Sequence, residues 1–323
     1  MGEVRSREHN GLTVVSTFSG AGGSCLGYRM AGFRVLWASE FIPAAQVVYE
    51  LNHPNSHLDK RDIRDVAPED ILETTGKERG EIDVLDGSPP CSDFSTAGSR
   101  ESGWGKVKEY SDTKQRVDDL FFEYARILDG LQPKVFVAEN VDGLVKGKAK
   151  GYFKHILREL KGCGYNVSAR VLDAQFLGVP QRRKRLIFVG VRNDLQAEPT
   201  HPKPFPYTYS TKEACPNIEW VKHGGKPNNW KRATSPHPTL TQMKVSPTGY
   251  LSGGQYVSES HPSKHVRELS LNEMRRIQGF PKDFELKGTP DQRWERLART
   301  VPPIMMREIA ATIRDEILTN QHE

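Results

Sequence analysis

The chain has 323 residues, of which 36% are apolar and 27% are charged, a composition typical of a globular protein with one large and one small domain. No run approaches the roughly 18 consecutive apolar residues of a membrane-spanning helix, and the first residues lack the apolar core of a signal peptide. The formal net charge of +5 is compatible with a polyanionic partner. Four widely separated cysteines without metal-binding spacing predict free thiols, a reducing cytoplasm and no metal site.

The first predicted elements are a strand, a glycine-rich turn and a helix. Residues 12–15 are apolar, residues 18–23 have the sequence Phe-Ser-Gly-Ala-Gly-Gly, and a helical pattern continues to Met30. Glycines let the backbone approach a ligand closely, so this order is typical of a nucleotide site, although the turn differs from the dinucleotide pattern G-x-G-x-x-G. A second strand over 35–38 leads to Glu40, where an acid about 20 residues after the first glycine is placed to hold ribose hydroxyls.

A cysteine follows the next predicted strand, over residues 82–85. Cys91 comes directly after Pro89-Pro90, and because proline fixes φ and has no amide proton, this turn directs the thiol without offering a competing donor. Chemistry in open α/β sheets takes place at the carboxyl ends of strands, so Cys91 is a candidate nucleophile, with a small buried apolar residue as the alternative. The polar, basic loop 96–116 beside it predicts a mobile lid, with a solvated surface loop as the alternative.

Short apolar runs and helical patterns alternate as far as about residue 190. A helix ends before Pro133, a strand over 134–138 runs into Glu139-Asn140-Val141, and a basic run at 181–185 precedes a strand over 186–189. This alternation predicts an α/β fold in which a mostly parallel sheet is covered by helices on both faces.

The composition changes after residue 191. Residues 199–263 are rich in proline, histidine, serine and threonine, and the glycine pairs at 224–225 and 253–254 mark turns. This stretch predicts a small, loop-rich domain. Helical patterns resume at Ser270 and over 302–318.

Five blocks of the chain resemble the motifs of the DNA (cytosine-5) methyltransferase family. In chain order they are F-S-G-A-G-G (18–23), P-P-C-S-D-F-S (89–95), E-N-V (139–141), Q-R-R-K-R (181–185) and R-E-L-S-L-N-E-M-R-R-I-Q-G-F-P (267–281). Because the blocks span nearly the whole chain in the family's usual order, the chain is identified as a member of prokaryotic or phage type. The resemblance implies a Rossmann-like S-adenosylmethionine-dependent methyltransferase fold and double-stranded DNA as substrate.

The resemblance also implies a division into three parts. Residues 1–190 would form the catalytic and cofactor-binding domain, residues 191–293 the small target-recognition domain with its hinge, and residues 294–323 a helix that returns to the catalytic domain. Within the small domain, Pro238-Thr239-Leu240 resembles the family's Thr-Leu element.

The chemistry that the resemblance implies is covalent catalysis on a base flipped out of the duplex. Cys91 would add to carbon 6 of cytosine, Glu139 would hydrogen-bond or protonate ring nitrogen 3, and Arg183 and Arg185 would orient that carboxylate and hold the base. The residues implied to bind the donor in these blocks are Phe18, Gly20, Gly22, Gly23, Glu40, Asp62, Ile63 and Pro89, with a simple loop acid as the alternative for Asp62. The residues implied to contact DNA are Ser95, Gln181, Thr239 and Leu240.

The last block departs from the family pattern. Where the family usually has G-N-S-V, this chain has Ala298-Arg299-Thr300-Val301, so an arginine stands beside the methionine end of the donor. A cationic side chain at this place would repel the donor's sulfonium. An acid paired with Arg299 would offset this repulsion. The competing hypothesis is an anionic donor, carboxy-S-adenosylmethionine, clamped by Arg299 to yield 5-carboxymethylcytosine.

Two other functions were weighed against DNA methylation. A tRNA cytosine-5 methyltransferase would carry a Cys-Phe-Thr tripeptide, which this sequence lacks, and a catalytically dead DNA-binding relative would lack Cys91 or Glu139. We therefore expect an active DNA enzyme that is a monomer. The recognition sequence and the existence of a cognate restriction endonuclease do not follow from the sequence.

Overall fold

The computed structural model describes residues 1–5, 8–90, 108–109, 114–115, 119–223, 229–241 and 255–319. Cys91, Ser95 and most of the predicted lid 96–116 lie outside the described residues. Within the described part of the chain, no helix is both long and apolar enough to cross a membrane.

Strands and helices alternate through the first half of the chain. The strands are β1 (Thr13–Thr17), β2 (Arg34–Ser39), β3 (His57–Asp59), β4 (Val84–Gly87), β5 (Lys108–Glu109), β6 (Lys114–Gln115), β7 (Val135–Val141), β8 (Tyr165–Asp173), β9 (Lys184–Arg192), β10 (Trp220–Lys222), β11 (Trp230–Arg232), β12 (Tyr256–Ser258) and β13 (Arg267–Glu268). The helices are α1 (Gly2–Arg5), α2 (Gly23–Met30), α3 (Pro43–Asn52), α4 (Pro68–Thr75), α5 (Leu120–Leu131), α6 (Lys150–Gly162), α7 (Thr211–Ala214), α8 (Leu271–Ile277), α9 (Pro290–Arg299) and α10 (Pro303–Ile313).

The large sheet has seven strands in the order β3-β2-β1-β4-β7-β9-β8. The five strands from β3 to β7 are parallel to their neighbours, while β9 runs antiparallel to both β7 and β8. Every residue of β1 and β4 is buried, as expected for central strands covered on both faces. The predicted mostly parallel α/β sheet is therefore confirmed, and the edge strand β8 is an addition that the sequence had not indicated.

One hydrophobic core lies on each face of this sheet. On one face, Val14 and Val137 pack with Tyr28 of α2 and with Met306 and Ile309 of α10. On the other face, the core is formed by side chains of α4, α5 and α6 against the sheet, among them Val15, Leu85, Phe136, Ile71, Phe121, Tyr124, Ile156 and Leu160. Helix α10 continues as a wider turn over Arg314–Leu318, which extends the predicted helix 302–318 to its end.

The small domain contains regular structure that its composition did not predict. Strands β10 to β13 form an antiparallel sheet in the order β11-β10-β12-β13, and a third core joins Val221 and Val257 of this sheet to Met274, Trp294 and Leu26. Helix α9 is continuous across the predicted domain boundary between residues 293 and 294. The division into three parts remains a prediction, with this boundary falling inside a helix.

Helices α2 and α10 cross so closely that only glycine fits at the contact. A Cβ atom on Gly27 would lie 2.6 Å from Met306 Cβ, 2.6 Å from the Pro303 carbonyl oxygen and 2.9 Å from Arg307 N. Two of these neighbours are backbone atoms, which cannot move without shifting α10. The packing of the last helix on the sheet thus depends on the absence of a side chain at position 27.

Gly27→Ala is expected to lower the free energy of unfolding by about 1–3 kcal/mol, since overpacking outweighs the roughly 1 kcal/mol gain in helix propensity. Urea unfolding followed by circular dichroism measures the change. Gly151→Ala is the matched control, because a Cβ on Gly151 in α6 meets nothing within 4 Å and should leave stability equal or higher. A Gly27→Ala protein as stable as the control would show that the α2–α10 contact is not tight.

Candidate active site at the carboxyl ends of the strands

The glycine-rich turn after β1 has an unusual backbone. Phe18 has φ of 53°, Gly20 of 57° and Gly22 of 85°, so a bulky residue shares the left-handed region with two glycines. Such a conformation is uncommon for a large side chain and persists mainly where a ligand site requires it. A Cβ on Gly20 would meet nothing within 4 Å, so the turn faces open space at that residue. An open turn with positive φ angles of this kind fits a donor nucleoside.

Glu40 follows β2 and is fixed against the same turn. Its two carboxylate oxygens accept hydrogen bonds from Gly20 N and Ile42 N, both at 2.7 Å, and the residue is only 8% exposed. Burial raises the pKa of Glu40, while the bond from Ile42 N and the nearby charge of Arg296 lower it. The predicted acid for the ribose hydroxyls is therefore brought to the predicted glycine turn.

Asp62 and Ile63 lie at the start of a short 3-10 turn over Ile63–Asp65. The Asp62 carboxylate accepts from Arg64 N at 3.1 Å and forms an ion pair with Arg64 Nη1 at 2.9 Å, while Ile63 is 3% exposed. Arg64 also pairs with Asp119 at 2.5 Å. Asp62 is thus a capping acid within a charged network, and its contact with the adenine amine stays a prediction.

Glu139 and Arg185 form the central ion pair of the site. Arg185 Nε lies 2.7 Å from Glu139 Oε1, and both side chains are largely buried, at 15% and 12% exposed. The next residue, Asn140, donates from Nδ2 to the Pro89 carbonyl oxygen at 3.1 Å. The Pro-Pro turn that precedes Cys91 is therefore attached beside Glu139, as a nucleophile and its partner require.

Arg183 lies elsewhere, although the sequence grouped it with Arg185. Its guanidinium is 1% exposed and donates to the carbonyl oxygens of Ala298 at 2.8 Å, Thr300 at 3.3 Å and Leu240 at 3.3 Å. Burial lowers the pKa of Arg183 well below its ordinary value, with the charge of Arg185 acting in the same direction. Because its donors bond to backbone carbonyls, the Arg183 side chain connects segments that are distant in the sequence. The linear motif could not reveal these contacts.

Three predicted DNA contacts are also engaged within the protein. Gln181 is fully buried, accepts from Leu240 N at 3.1 Å and donates to Gln278 Oε1 at 3.1 Å, and the Leu240 side chain is 1% exposed. The Thr239 hydroxyl is half-buried and donates to the Arg182 carbonyl oxygen. Tertiary contacts between distant segments thus bury Gln181 and Leu240, and their contacts with DNA stay predictions.

The block that departs from the family pattern ends helix α9 and packs on the glycine turn. A Cβ on Gly23 would lie 2.1 Å from Thr300 Cγ2 and 2.4 Å from the Val301 carbonyl oxygen. Arg299 Nε is 2.7 Å from Glu295 Oε1, one helical turn earlier, so an acid does pair with Arg299. The sequence had not identified α9, and therefore not this i, i+4 pair.

Two further charged residues of the site were missed by sequence reasoning. Arg296 is 5% exposed, lies 3.1 Å from Glu295 Oε2, and its Nε has no hydrogen-bond partner among the described residues. Asp86 on β4 is 1% exposed and accepts from Ser16 Oγ at 2.9 Å and Ser24 Oγ at 2.7 Å. A lone carboxylate inside the apolar run of β4 was the available signal for Asp86.

Burial raises the pKa of Asp86 to about 7, and the Glu139 charge acts in the same direction, while the two serine hydroxyls lower it. The unfolded chain ionises Asp86 at its ordinary pKa of 3.8. Ionisation therefore favours the unfolded state between these two values, and stability contributed by the protonated form is lost as pH rises from about 4 to about 7.

Fold and site together define a Rossmann-like S-adenosylmethionine-dependent methyltransferase. The chain matches the family model "C-5 cytosine-specific DNA methylase" over residues 12–234 and 217–315, and it belongs to that family. It is an enzyme that methylates carbon 5 of cytosine in DNA, and S-adenosylmethionine is the donor of its family.

Similar proteins of comparable length support this assignment. The type II methyltransferase M.NgoPII of Neisseria gonorrhoeae is 29% identical over 347 residues, covering 95% of this chain and 96% of the relative. M.Bsp6I of Bacillus sp. (strain RFL6) is 30% identical and is covered over its whole length, against 95% of this chain.

A solved structure shares the fold at lower identity. A DNA modification methyltransferase encoded within an E. coli prophage superposes with a TM-score of 0.72 at 21% identity, covering 95% of this chain and 99% of that one. Spodoptera frugiperda DNMT2 superposes with a TM-score of 0.70 at 18% identity, covering 94% of this chain and 100% of that one.

Asp86→Asn is expected to become more stable relative to the unmodified protein as pH rises from about 4 to about 7, by at most about 1.4 kcal/mol per pH unit, and to gain nothing further above pH 7. The amide oxygen still accepts from both serines, so the change removes only the ionisable group. Urea unfolding at a series of pH values measures this difference.

The matched control is Asp83→Asn on the same segment. Asp83 pairs with Lys134 Nζ at 2.8 Å, so its replacement should lower stability at pH 7. A difference between Asp86→Asn and the unmodified protein that does not change with pH would contradict the assignment of the buried carboxyl.

Proposed function

We propose that Cys91 is the nucleophile and that Glu139, held by Arg185, is its acid–base partner on the flipped cytosine. The 2.7 Å pair of Glu139 with Arg185, beside the turn that Asn140 ties at Pro89, is the observation that carries this proposal. Cys91 itself lies outside the described residues, so its role rests on the motif and on the position of the turn that leads to it.

Carbon 5 of cytosine is a weak nucleophile until the ring is activated. The Cys91 thiolate adds to carbon 6, and the electron pair that this displaces moves toward ring nitrogen 3, where Glu139 donates or shares a proton. The enamine carbon 5 then attacks the methyl group, which S-adenosylmethionine supplies on a sulfonium that leaves as a neutral thioether. Loss of the carbon 5 proton and elimination of Cys91 restore the aromatic ring and the free thiol.

Arg185 has two tasks in this scheme. Its Nε holds the Glu139 carboxylate in one orientation, Nη1 donates to the Lys184 carbonyl oxygen at 2.7 Å, and we propose that Nη2 donates to the cytosine carbonyl. Charge stabilisation of this kind is strong because the pair is largely shielded from water.

Access to the base requires that cytosine leave the duplex. We propose that residues 191–266 read the target sequence and that residues 96–116 close over the flipped nucleotide, with Ser95 on phosphate. The family assignment and its type II relatives support duplex DNA as the substrate and do not favour a tRNA substrate or a binding-only role. We further propose that the protein acts as a monomer in the cytoplasm.

Covalent trapping tests the nucleophile. With donor present, a duplex containing 5-fluorocytosine should form an irreversible adduct, because fluorine cannot leave as the carbon 5 proton does. Cys91→Ser should abolish turnover and trapping while leaving DNA binding within a few-fold, as measured by denaturing gels and by filter binding.

Cys163→Ser is the control, since Cys163 lies at the end of α6 and its thiol donates to the carbonyl oxygens of Ala125 and Glu159. It should trap DNA as the unmodified protein does. An adduct formed by Cys91→Ser would assign the nucleophile to another residue.

For the donor we propose S-adenosylmethionine, since the Glu295 carboxylate at 2.7 Å offsets the Arg299 charge near the sulfonium. The competing donor is carboxy-S-adenosylmethionine, whose carboxylate Arg299 would clamp. Against it, Arg299 is already paired with Glu295, which also lies 3.1 Å from Arg296. The product of that donor would be 5-carboxymethylcytosine.

Each donor is incubated separately with protein and DNA, and the released nucleosides are weighed by mass spectrometry. We expect 5-methylcytosine from S-adenosylmethionine. Arg299→Asn should retain this activity within about tenfold, because Glu295 already offsets the charge that the substitution removes. Arg307→Asn is the control, since Arg307 pairs with its neighbour Glu308 on α10 in the same way. Transfer from the carboxylated donor that is lost in Arg299→Asn would replace our proposal by the second candidate.

A further inference from the structure

Both polar groups of the Leu240 backbone are held by side chains of the catalytic domain. Leu240 N donates to Gln181 Oε1 at 3.1 Å, and the Leu240 carbonyl oxygen accepts from Arg183 Nη1 at 3.3 Å. Leu240 belongs to the Thr-Leu element of the segment proposed to read DNA. A shift of this element would therefore act directly on two buried side chains.

Both side chains lead to the same place. Gln181 Nε2 donates to Gln278 Oε1 at 3.1 Å, and Gln278 Nε2 donates to the Leu297 carbonyl oxygen at 2.8 Å. Arg183 Nη2 donates to the Ala298 carbonyl oxygen at 2.8 Å. Two hydrogen-bonded routes thus run from one residue of the recognition segment to adjacent carbonyls at the end of α9.

The end of α9 packs on the glycine turn that is proposed to bind the donor. Arg183 Nη2 also reaches the Thr300 carbonyl oxygen at 3.3 Å, and the Thr300 side chain packs directly on Gly23 of the glycine turn. Arg183 comes directly before β9 and two residues before Arg185, which holds Glu139. The same buried group therefore touches segments proposed for recognition, donor binding and catalysis.

Burial makes this arrangement sensitive to displacement. Gln181 and Gln278 are fully buried and Arg183 is 1% exposed, so water cannot replace a bond that is lost. A network in these surroundings holds its geometry as a unit, and a shift of the Leu240 backbone has to be accommodated at the Leu297–Thr300 carbonyls. A merely structural joint would also be buried, but it would not alter one ligand's affinity when the other binds.

We propose that Gln181, Arg183 and Gln278, the Leu240 relay, are positioning residues that couple target recognition to donor binding. Duplex DNA that carries the target sequence then tightens donor binding, and donor binding tightens that of the target by the same factor. The inference rests on the proposed function, in which residues 191–266 read the DNA.

The test measures coupling and not activity. The Kd of S-adenosylhomocysteine is determined by calorimetry for the protein alone, with a duplex carrying the target site found by methylation sequencing, and with a scrambled duplex. In the unmodified protein the target duplex should lower this Kd by about 5- to 150-fold, the usual range of coupling between two sites, and the scrambled duplex should have a smaller effect.

Gln278→Met breaks the amide-to-amide route while keeping the side-chain volume, and Arg183→Lys keeps the charge while losing the fork that joins two segments. Each should reduce the coupling factor toward 1, with the Kd of either ligand alone changed less than the coupling. Gln175→Met is the matched control, because Gln175 lies on the same loop as Gln181 and Arg183 but donates to Asp173 at 2.7 Å. The coupling factor of this variant should equal that of the unmodified protein.

A measurement on the unmodified protein keeps the test decisive if a variant does not fold. S-adenosylhomocysteine alone should slow hydrogen–deuterium exchange in the peptide that contains Leu240, whose N–H belongs to the relay. Absence of this protection, absence of coupling in the unmodified protein, or full coupling in folded Gln278→Met and Arg183→Lys proteins would each overturn the relay. Failure to bind either ligand would instead contradict the proposed function.

Discussion

The diagonal pairing of Glu139 with Arg185 depends on the one strand that runs against the others. Because β9 is antiparallel to β7, Glu139 lies opposite Ile187 and Val141 lies opposite Arg185. Side chains alternate along a strand, so Arg185 and Ile187 share the face that Glu139 occupies, and the guanidinium reaches back across the ladder. A parallel β9 would begin at the opposite end of the strands, and Glu139 would then be a buried, unpaired carboxylate.

The next residue of β7 points the other way and serves a second purpose. Asn140 faces the Pro-Pro turn and donates to the Pro89 carbonyl oxygen. Two successive side chains of one rigid strand thereby fix the proposed acid and the turn that leads to the proposed nucleophile, so the position of Glu139 relative to Pro89 does not depend on either loop alone. Sites built on strands hold distances more closely than sites built on loops.

Sequence patterns predicted the local parts of this structure well and the long-range ones poorly. The turn at 18–23, Glu40 and the strand that carries Glu139 are each given by a short contiguous stretch of sequence, and the structure brings them together where the strand ends meet. Gln181 and Arg183 were assigned to DNA and to catalysis because the block Q-R-R-K-R resembles a family motif. Their partners are Leu240, Gln278 and the end of α9, and no local pattern states that such distant segments converge.

The same limit explains Arg299 and Asp86. The pairing of Arg299 with Glu295 follows at once from the helical spacing, but α9 was not identified because its residues Pro290–Arg299 are mostly polar and charged. Asp86 stands in an apolar strand, and only the positions of Ser16 and Ser24 show why burial of this carboxyl is tolerated. In both cases the sequence does not show the residue that compensates the charge or its burial.

The contact of α2 with α10 has a consequence for how the protein is made. Gly23 is packed by Thr300 and Val301, and Gly27 by Pro303 and the residues after it, so the glycine turn proposed to bind the donor is packed by a segment nearly 280 residues downstream. Chain entropy makes such a contact slow to form, and during synthesis it cannot form at all until α10 has left the ribosome. The nascent chain consequently carries its glycine turn without this packing until α10 has been synthesised.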